Sequence, residues 1–508
     1  MNPSGRRGGR GIQAVTRVAA PSIAGLEYAV LLRRPLFQLL LLLTTGCGSS
    51  ANRRGATVFF ASGADLQSIN PLLTVHPLAR QVQRYVFLTT LARYDSTLTP
   101  RPYLARSWEW TPDRRRLTFH LQTAVHWHDG PPTTARDVVW TLEAARDPAT
   151  GYPRTNELTT LDTVSAPDDS TVVLRFRVPQ SGFPDLLTDL AILPAHLLDT
   201  VPHARLRQAA WNNLPVGNGP FRFVSHEPNR RWVFAADTLF SKALGGPPRL
   251  QRFIVVVVDE PTTKLAALTS GELDFAGIQP AHAEFVRRDP ELEVLSYPLL
   301  MTYGIVFNTR RAPFNDPGVR RLLSDAIDRK ELVDGYIYGF GIPAVGPVPP
   351  AAPNYLPIAT TSRGAELPAA PHGRLSFELL TVGSGEAALE QMIQARLRKA
   401  GFDLTIRQLE LSAFLARVYG PAHEFDAAVL GVPGDLGLGY LAPLAALAGL
   451  RVPEDRVAAQ RMFADSLPVA FLYHARGLQG VNRRVHGVTM DLRGELPTVH
   501  DWWVARER

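Results

Sequence analysis

YLARSWEWTPDRRRLTFHLQTAVHWHDGPPTTARDVVW, residues 103–140, changes period part-way, and each period dictates a different local structure. Leu117, Phe119 and Leu121 alternate with Thr118, His120 and Gln122, the period of two that turns one face of a strand to a core. Asp129-Gly130-Pro131-Pro132 then breaks the chain, because Gly accepts positive φ and Pro cannot donate to a ladder. Thr134 is placed to cap a helix, with Asp137 three residues on as a carboxylate version of the capping box. Ala135, Val138, Val139 and Leu142 recur at i, i+3, i+4 and i+7 and give that helix one apolar stripe. Strand, turn and amphipathic helix in this order predict an α/β protein.

Composition agrees with a folded chain of that class. At 508 residues the chain is too long for one core and divides into two or three domains. An apolar content of 45% with 20% charge is ordinary for a globular protein. The formal charge of +7 is concentrated at the start, where residues 1–46 hold six Arg and one acidic residue, Glu27. Without them, 48 of the 54 basic residues face 46 of the 47 acidic ones, and a nucleic-acid partner loses its electrostatic footprint.

The first 46 residues read as a targeting segment. Arg33-Arg34 precede the apolar run Leu36 to Leu43, interrupted only by Gln38 and far too short to span a bilayer. Leu43-Thr44-Thr45-Gly46-Cys47 resembles a bacterial lipobox, with Thr44 where an aliphatic residue is usual. That resemblance implies a mature chain that begins at a lipidated Cys47. Residues 1–32 are Gly/Arg-rich and unlike a signal n-region, which places the expected start near Val30. Cys47 is the only Cys, so the chain has no disulfide and no Cys-based metal or redox site.

The opening stretch also carries a family likeness. Pro102, Leu104-Ala105, Ser107-Trp108-Glu109, Asp113, Leu117-Thr118-Phe119, Asp129-Gly130-Pro131, Thr134-Ala135 and Asp137-Val138 together resemble the signature of family 5 extracellular solute-binding proteins. Those are the oligopeptide, dipeptide and nickel receptors of ABC importers. Gly217-Asn218-Gly219-Pro220-Phe221 resembles the family's Gly-Thr-Gly-Pro-Tyr turn, and Gly271-Glu272-Leu273-Asp274 its Gly-Glu-Leu-Asp segment. Phe307-Asn308-Thr309, Pro313-Phe314, Val319-Arg320 and Ala326-Ile327-Asp328-Arg329 continue the likeness, which covers Ala56 to Trp502.

The resemblance implies a two-lobed α/β fold of the periplasmic-binding-protein type (type II), with an additional subdomain on the first lobe. The expected division is a signal segment over 1–46, a tether over 47–55, and lobe I over 56–275 with the inserted subdomain at about 90–160. Lobe II then spans 276–473, and residues 474–508 return to lobe I. Crossings near Phe275–Pro280 and Phe471–Ala475 are the expected hinge. The buried-strand run Ile254 to Val258, a helix from Pro261 to Gly271 and the strand from Leu273 make one β-α-β unit. Phe377 to Val382, a helix over Leu389–Ala400 closed by Gly401, and Phe402 to Ile406 make another. Residues Ile342 to Ala370 read as an irregular surface excursion, and the segment after Ala445 is shorter than in relatives.

Enzyme motifs fail on inspection. His126, His128 and Asp129 lack the spacing of a zinc hydrolase, and alternation predicts both His on one polar strand face. His226-Glu227 has no second His, and Pro228 would break its helix. No Gly-x-Ser-x-Gly elbow, phosphate loop or dinucleotide fingerprint occurs. No metal site, cofactor or catalytic residue is therefore expected. Asp435, in Gly431-Val432-Pro433-Gly434-Asp435, matches the position where peptide-binding relatives pair an Asp with the ligand's amino group. Val432 stands where they carry a Trp, and Gly434 precedes the carboxylate. A turn aspartate that bonds its own backbone is the competing reading. The loop Thr381 to Glu386 has no Arg to fix a dipeptide carboxylate.

The resulting expectation is a non-enzymatic, monomeric receptor in the periplasm or cell envelope, lipid-anchored through Cys47. It captures a peptide or other amine-bearing solute, longer than a dipeptide, and delivers it to ABC permease subunits. An exported hydrolase and a lipoprotein sensor using the same cleft are the alternatives. Replacing Cys47 tests the anchor: Cys47→Ser should release the protein from membranes or leave an uncleaved precursor. Unchanged fractionation with an unchanged N-terminal mass would refute lipidation.

Overall fold

A computed structural model describes residues 55–74, 76–358, 374–383 and 385–505. The expected targeting segment, Cys47 and all but the last residue of the tether lie outside them. The opening stretch folds as its pattern dictates. Strands Ala105–Trp110, Arg116–Leu121, Thr171–Phe176 and Leu161–Asp168 lie side by side in that order as an antiparallel sheet. Leu117, Phe119 and Leu121 are all buried. Helix Ala135–Arg146 packs beside this sheet, and the Asp137 carboxylate accepts the Thr134 N–H at 2.8 Å. Asp137 is itself buried and also accepts the Ala195 N–H at 2.8 Å, so the cap ties the helix to a distant segment. This is the additional subdomain, and its strands extend to Phe176.

The main sheet has eleven strands among the described residues. From one edge it runs Phe402–Leu409, Leu375–Val382, Ala427–Pro433, Leu292–Phe307, Val469–Asn482, Phe275–Gly277, Thr57–Ser62, Arg252–Val257, Arg231–Ala236 and Phe221–Glu227. Gly341–Pro343 pairs separately with Val469–Asn482. In the second lobe, alternation divides the strands between two cores. Ile305, Leu379, Ala427 and Val429 face one, while Val306, Leu380, Ala428 and Leu430 face the other. Both faces are thus covered, which explains why these strands read as unbroken apolar runs. The first lobe has its own core, in which Phe275 stacks on Trp502 at 4.6 Å and on Phe60 at 5.4 Å.

Two long antiparallel strands, Leu292–Phe307 and Val469–Asn482, belong to both lobes. On the first, Tyr297 sits in the first-lobe core and Ile305 in the second; on the other, Val481 and Leu472 do the same. Their register slips between Pro298, opposite Arg476, and Thr302, opposite His474. The chain passes between lobes there, and not at Phe275–Pro280 as the sequence led us to expect. Phe275–Gly277 is held inside the first-lobe sheet, paired to Phe60 on one side and to Gln479–Val481 on the other.

The segment from Ile342 also differs from expectation. Its described part is no surface excursion, since Ala344, Val348 and Ala352 are buried. Near the start of the first lobe a short α-helix, Pro77–Gln81, widens into a π-helical turn, Val82–Phe87. Gly217 and Gly219 press against that turn: a Cβ on Gly217 would lie 2.2 Å from the Phe87 carbonyl oxygen. Asn218 between them accepts the Thr89 N–H at 2.9 Å, so the Gly-Asn-Gly turn fits only this neighbour.

Asp274 joins three parts of the first lobe. It is fully buried and takes two hydrogen bonds from the Arg484 guanidinium, both at 2.7 Å, and one from the Phe59 N–H at 2.9 Å. Arg484 also donates to the Thr57 carbonyl at 2.8 Å. Removing the cation leaves a buried carboxylate uncompensated, so Arg484→Ala should lose about 3–5 kcal/mol of stability. Urea unfolding checks it, and a midpoint equal to the unaltered protein's would refute the role.

Candidate functional site

The strand Ala427–Pro433 runs antiparallel to Leu292–Phe307, with Val432 opposite Thr302. Just past its end the Gly434 N–H donates to the Leu300 carbonyl at 2.6 Å. A Cβ on Gly434 would come within 3.3 Å of the Tyr440 ring, so a side chain there would push that ring by a few tenths of an ångström. The chain then turns at Asp435, whose carboxylate accepts the Gly439 N–H at 3.0 Å and the Tyr440 N–H at 3.1 Å. These are the bonds of a turn aspartate. A carboxylate has about four lone-pair sites, so two N–H donors leave acceptor capacity for a ligand.

A second carboxylate comes from the other lobe. The Cβ position of Gly437 lies 3.2 Å from Asp435 Oδ1 and 3.9 Å from Asp185 Oδ2, so the two carboxylates flank one glycine. Asp185 precedes a short helix, Leu186–Asp189, and accepts a hydrogen bond from the Tyr94 hydroxyl. Burial pushes its pKa above the ordinary carboxylate value, and the negative charges of Asp435 and Glu157 push the same way. The Tyr94 bond and the Arg456 charge oppose them without prevailing. Sequence reasoning missed Asp185, because Phe183-Pro184-Asp185 matches no motif and its neighbour lies far along the chain.

Other charged clusters are closed within themselves. Asp189 is paired with Arg80, Arg84 and Arg154; burial alone would raise its pKa, but the three guanidinium groups hold it well below the usual carboxylate range. His226 stacks on Trp232 at 3.6 Å and meets Asp65 at 3.1 Å. His126 and His128 do not share a polar strand face. The chain makes only an isolated bridge there, His126 to Pro132, and it leaves His126 exposed while His128 turns inward. His128 Nε2 lies 2.9 Å from the Gly219 carbonyl, and burial pushes its pKa down to about 4. Both line a cavity of about 430 Å³ with Trp127, Arg222 and Asp237. Among the described residues no group of three or more His, Cys, Asp or Glu could hold a metal ion. Nor is any described helix long and apolar enough to cross a membrane.

The sequence profile of the bacterial extracellular solute-binding proteins, family 5, matches residues 99–441. The chain belongs to that family. It is 30% identical over 242 residues to a putative ABC transporter peptide-binding protein of Brucella ovis, a match covering 47% of this chain and 45% of that one. Heme-binding protein A of Haemophilus influenzae is 30% identical over 275 residues, covering 50% and 49%. The chain thus spans about half the length of these relatives. Di/tripeptide-binding protein 4 of Pseudomonas aeruginosa matches at 28% over 439 residues, covering 79% and 80%. Among solved structures, the oligopeptide-binding protein AppA of Bacillus subtilis, in complex with a nonapeptide, superposes with a TM-score of 0.71 at 21% identity, covering 89% and 99%. The substrate binding protein CtaP of Listeria monocytogenes gives 0.77 at 18%, covering 89% and 100%. The shared fold is the two-lobed, type II periplasmic-binding-protein architecture.

Asp185 and Asp435 matter as a like-charged pair at the meeting of the lobes. A folded-state pKa raised above the unfolded value means that protonation favours the folded form. That stabilisation is gained as pH falls through the folded value and is complete below the unfolded one. At pH 8 the ionised Asp185 is a liability, so Asp185→Asn should raise the melting temperature there. The advantage should shrink toward zero as pH falls through the carboxylate range. An Asn variant that is equally stable at every pH, or less stable at pH 8, would refute the electrostatic reading.

Proposed function

We propose that this protein is the capture component of an ABC importer, holding a peptide-like solute with a free amino group between its lobes and delivering it to a membrane permease. The observation that carries this reading is the pair Asp185 and Asp435, one from each lobe, beside Gly437. Two carboxylates brought together repel, and an ammonium group between them replaces repulsion with two attractions. Asp435 retains acceptor capacity beyond its two backbone bonds. The peptide-binding names of the Brucella and Pseudomonas relatives support the same solute class.

The solute in this reading is longer than a dipeptide, because the loop Thr381 to Glu386 offers no Arg to a nearby carboxylate. Closure turns on the two long strands at Pro298–Thr302 and His474–Arg476, with lobe I before them and lobe II between them. The protein acts as a monomer in the periplasm or cell envelope, tethered through a lipidated Cys47. Lipid chains there would satisfy the two-signal requirement for stable attachment.

Calorimetry with a peptide library tests the solute class. Peptides with a free N-terminus should bind, and their N-acetylated forms should bind about thirtyfold or more weakly, the lower end of what removing one partner of a charge pair costs. Asp435→Ala should lose a similar factor. Equal binding of acetylated peptides, or an unweakened Asp435→Ala, would reduce Asp435 to a turn residue.

A further inference from the structure

The segment that follows Gly341 links the passage between lobes to the turn that carries Asp435. Gly341, Ile342 and Pro343 pair with Ala475, His474 and Tyr473, and the Ala344 N–H donates to the Leu472 carbonyl at 3.1 Å. The chain then brings the Pro347 carbonyl between two hydroxyl groups. Thr302 donates to it at 3.1 Å and Tyr440 at 2.9 Å. Thr302 is the first paired residue after the register slip, and Tyr440 supplies one of the two N–H groups held by Asp435. Further on, the Asn354 side chain donates to the Leu436 carbonyl at 2.7 Å, and Gln460 in turn donates to the Asn354 carbonyl at 2.9 Å.

The hydrogen-bond inventory of this network is full. A carbonyl oxygen has two lone pairs, and Pro347 receives two donors. Having given its only proton to Pro347, the Thr302 hydroxyl can only accept from His474 Nδ1, 2.8 Å away. Burial pushes the His474 pKa down to about 4, so the ring is neutral and Nδ1 carries its single proton. Burial and the Asp435 charge both raise the Tyr440 pKa, which keeps its hydroxyl a donor. Thr302 and His474 are buried, so a lost bond there is not replaced by water.

We infer that residues 341–356 form a strap in which the Pro347 carbonyl, gripped by Thr302 and Tyr440, sets the position of the Asp435 turn according to the arrangement of the inter-lobe strands. Thr302 and Tyr440 are then positioning residues for the capture of the solute's amino group. The inference rests on the reading of Asp435 as a ligand contact. A shift of Thr302 relative to His474 moves the Pro347 carbonyl, and with it the Tyr440 side chain and the backbone N–H that Asp435 holds.

Hydrogen exchange on the full-length protein separates this from a plain structural role. In Thr302→Val and in Tyr440→Phe, segment 435–441 should exchange about fivefold faster, the effect of losing one hydrogen bond. Strands 303–307 and 427–431 should keep their rates, and Thr302→Ser should restore the original exchange. Thr302→Val should also narrow the preference for tetra-alanine over N-acetyl-tetra-alanine. Unchanged exchange in segment 435–441, or equal acceleration across the sheet, overturns the strap even where the amine preference holds. If the unaltered protein binds both peptides alike while the exchange pattern appears, the ligand role of Asp435 is what fails, and the strap's part in capture fails with it.

Discussion

Everything in the architecture depends on one pairing, that of Leu292–Phe307 with Val469–Asn482. It makes a single hydrogen-bonded sheet out of what are otherwise separate cores, with Tyr297 and Val481 buried in one lobe and Ile305 and Leu472 in the other. A continuous ladder resists twisting, so the closure proposed here needs one place where the ladder is weak. The slip between Pro298 and Thr302 supplies it, since Pro298 has no N–H to donate and the residues before Thr302 have no partner in register. Side-chain bonds add to the pairing around the slip, notably Thr302 to His474 and Arg476 to Ser296.

The sequence made local structure legible and long-range pairing much less so. The alternation at Leu117–Leu121 and the Thr134–Asp137 cap can be read because each depends only on neighbours within a few residues. The β-α-β unit from Phe377 to Ile406 is equally local, and its strands are adjacent and parallel. The passage between lobes was misplaced because Phe275–Gly277 is three residues long and nothing in it names Thr57–Ser62 as partner. The segment after Ile342 read as surface because Pro and Ala carry no period. Its buried residues Ala344, Val348 and Ala352 join a core with Phe414, Leu441 and Phe463, which lie far along the chain.

Site residues divide the same way. Asp435 is a candidate through its resemblance to relatives and through the glycines around it, both visible in one stretch of chain. Asp185 was missed, because its significance arises only from proximity across the cleft and from burial. His126 and His128 show the converse error, in which alternation was assumed where the backbone makes only one bridge to Pro132. Gly217 and Gly219 could be recognised as a family turn, but the reason for their lack of side chains lies in the Phe87 carbonyl, which no linear pattern reveals.

Asp189 and Asp185 differ in how their charges are compensated. Asp189 sits among Arg80, Arg84 and Arg154, so its charge is compensated whether or not a solute is present. Among the described residues the Asp185 carboxylate has a tyrosine hydroxyl as its direct partner, with the Arg456 charge at longer range, and it faces another carboxylate across Gly437. On the proposed reading, the two like charges beside Gly437 repel, and a cation between them would turn that repulsion into attraction. A ligand shifts a conformational equilibrium only by its difference in affinity for the two states. In the proposed capture, two carboxylates brought near each other would create that difference from charge alone. This favours solutes that bring a cation over neutral ones of the same shape.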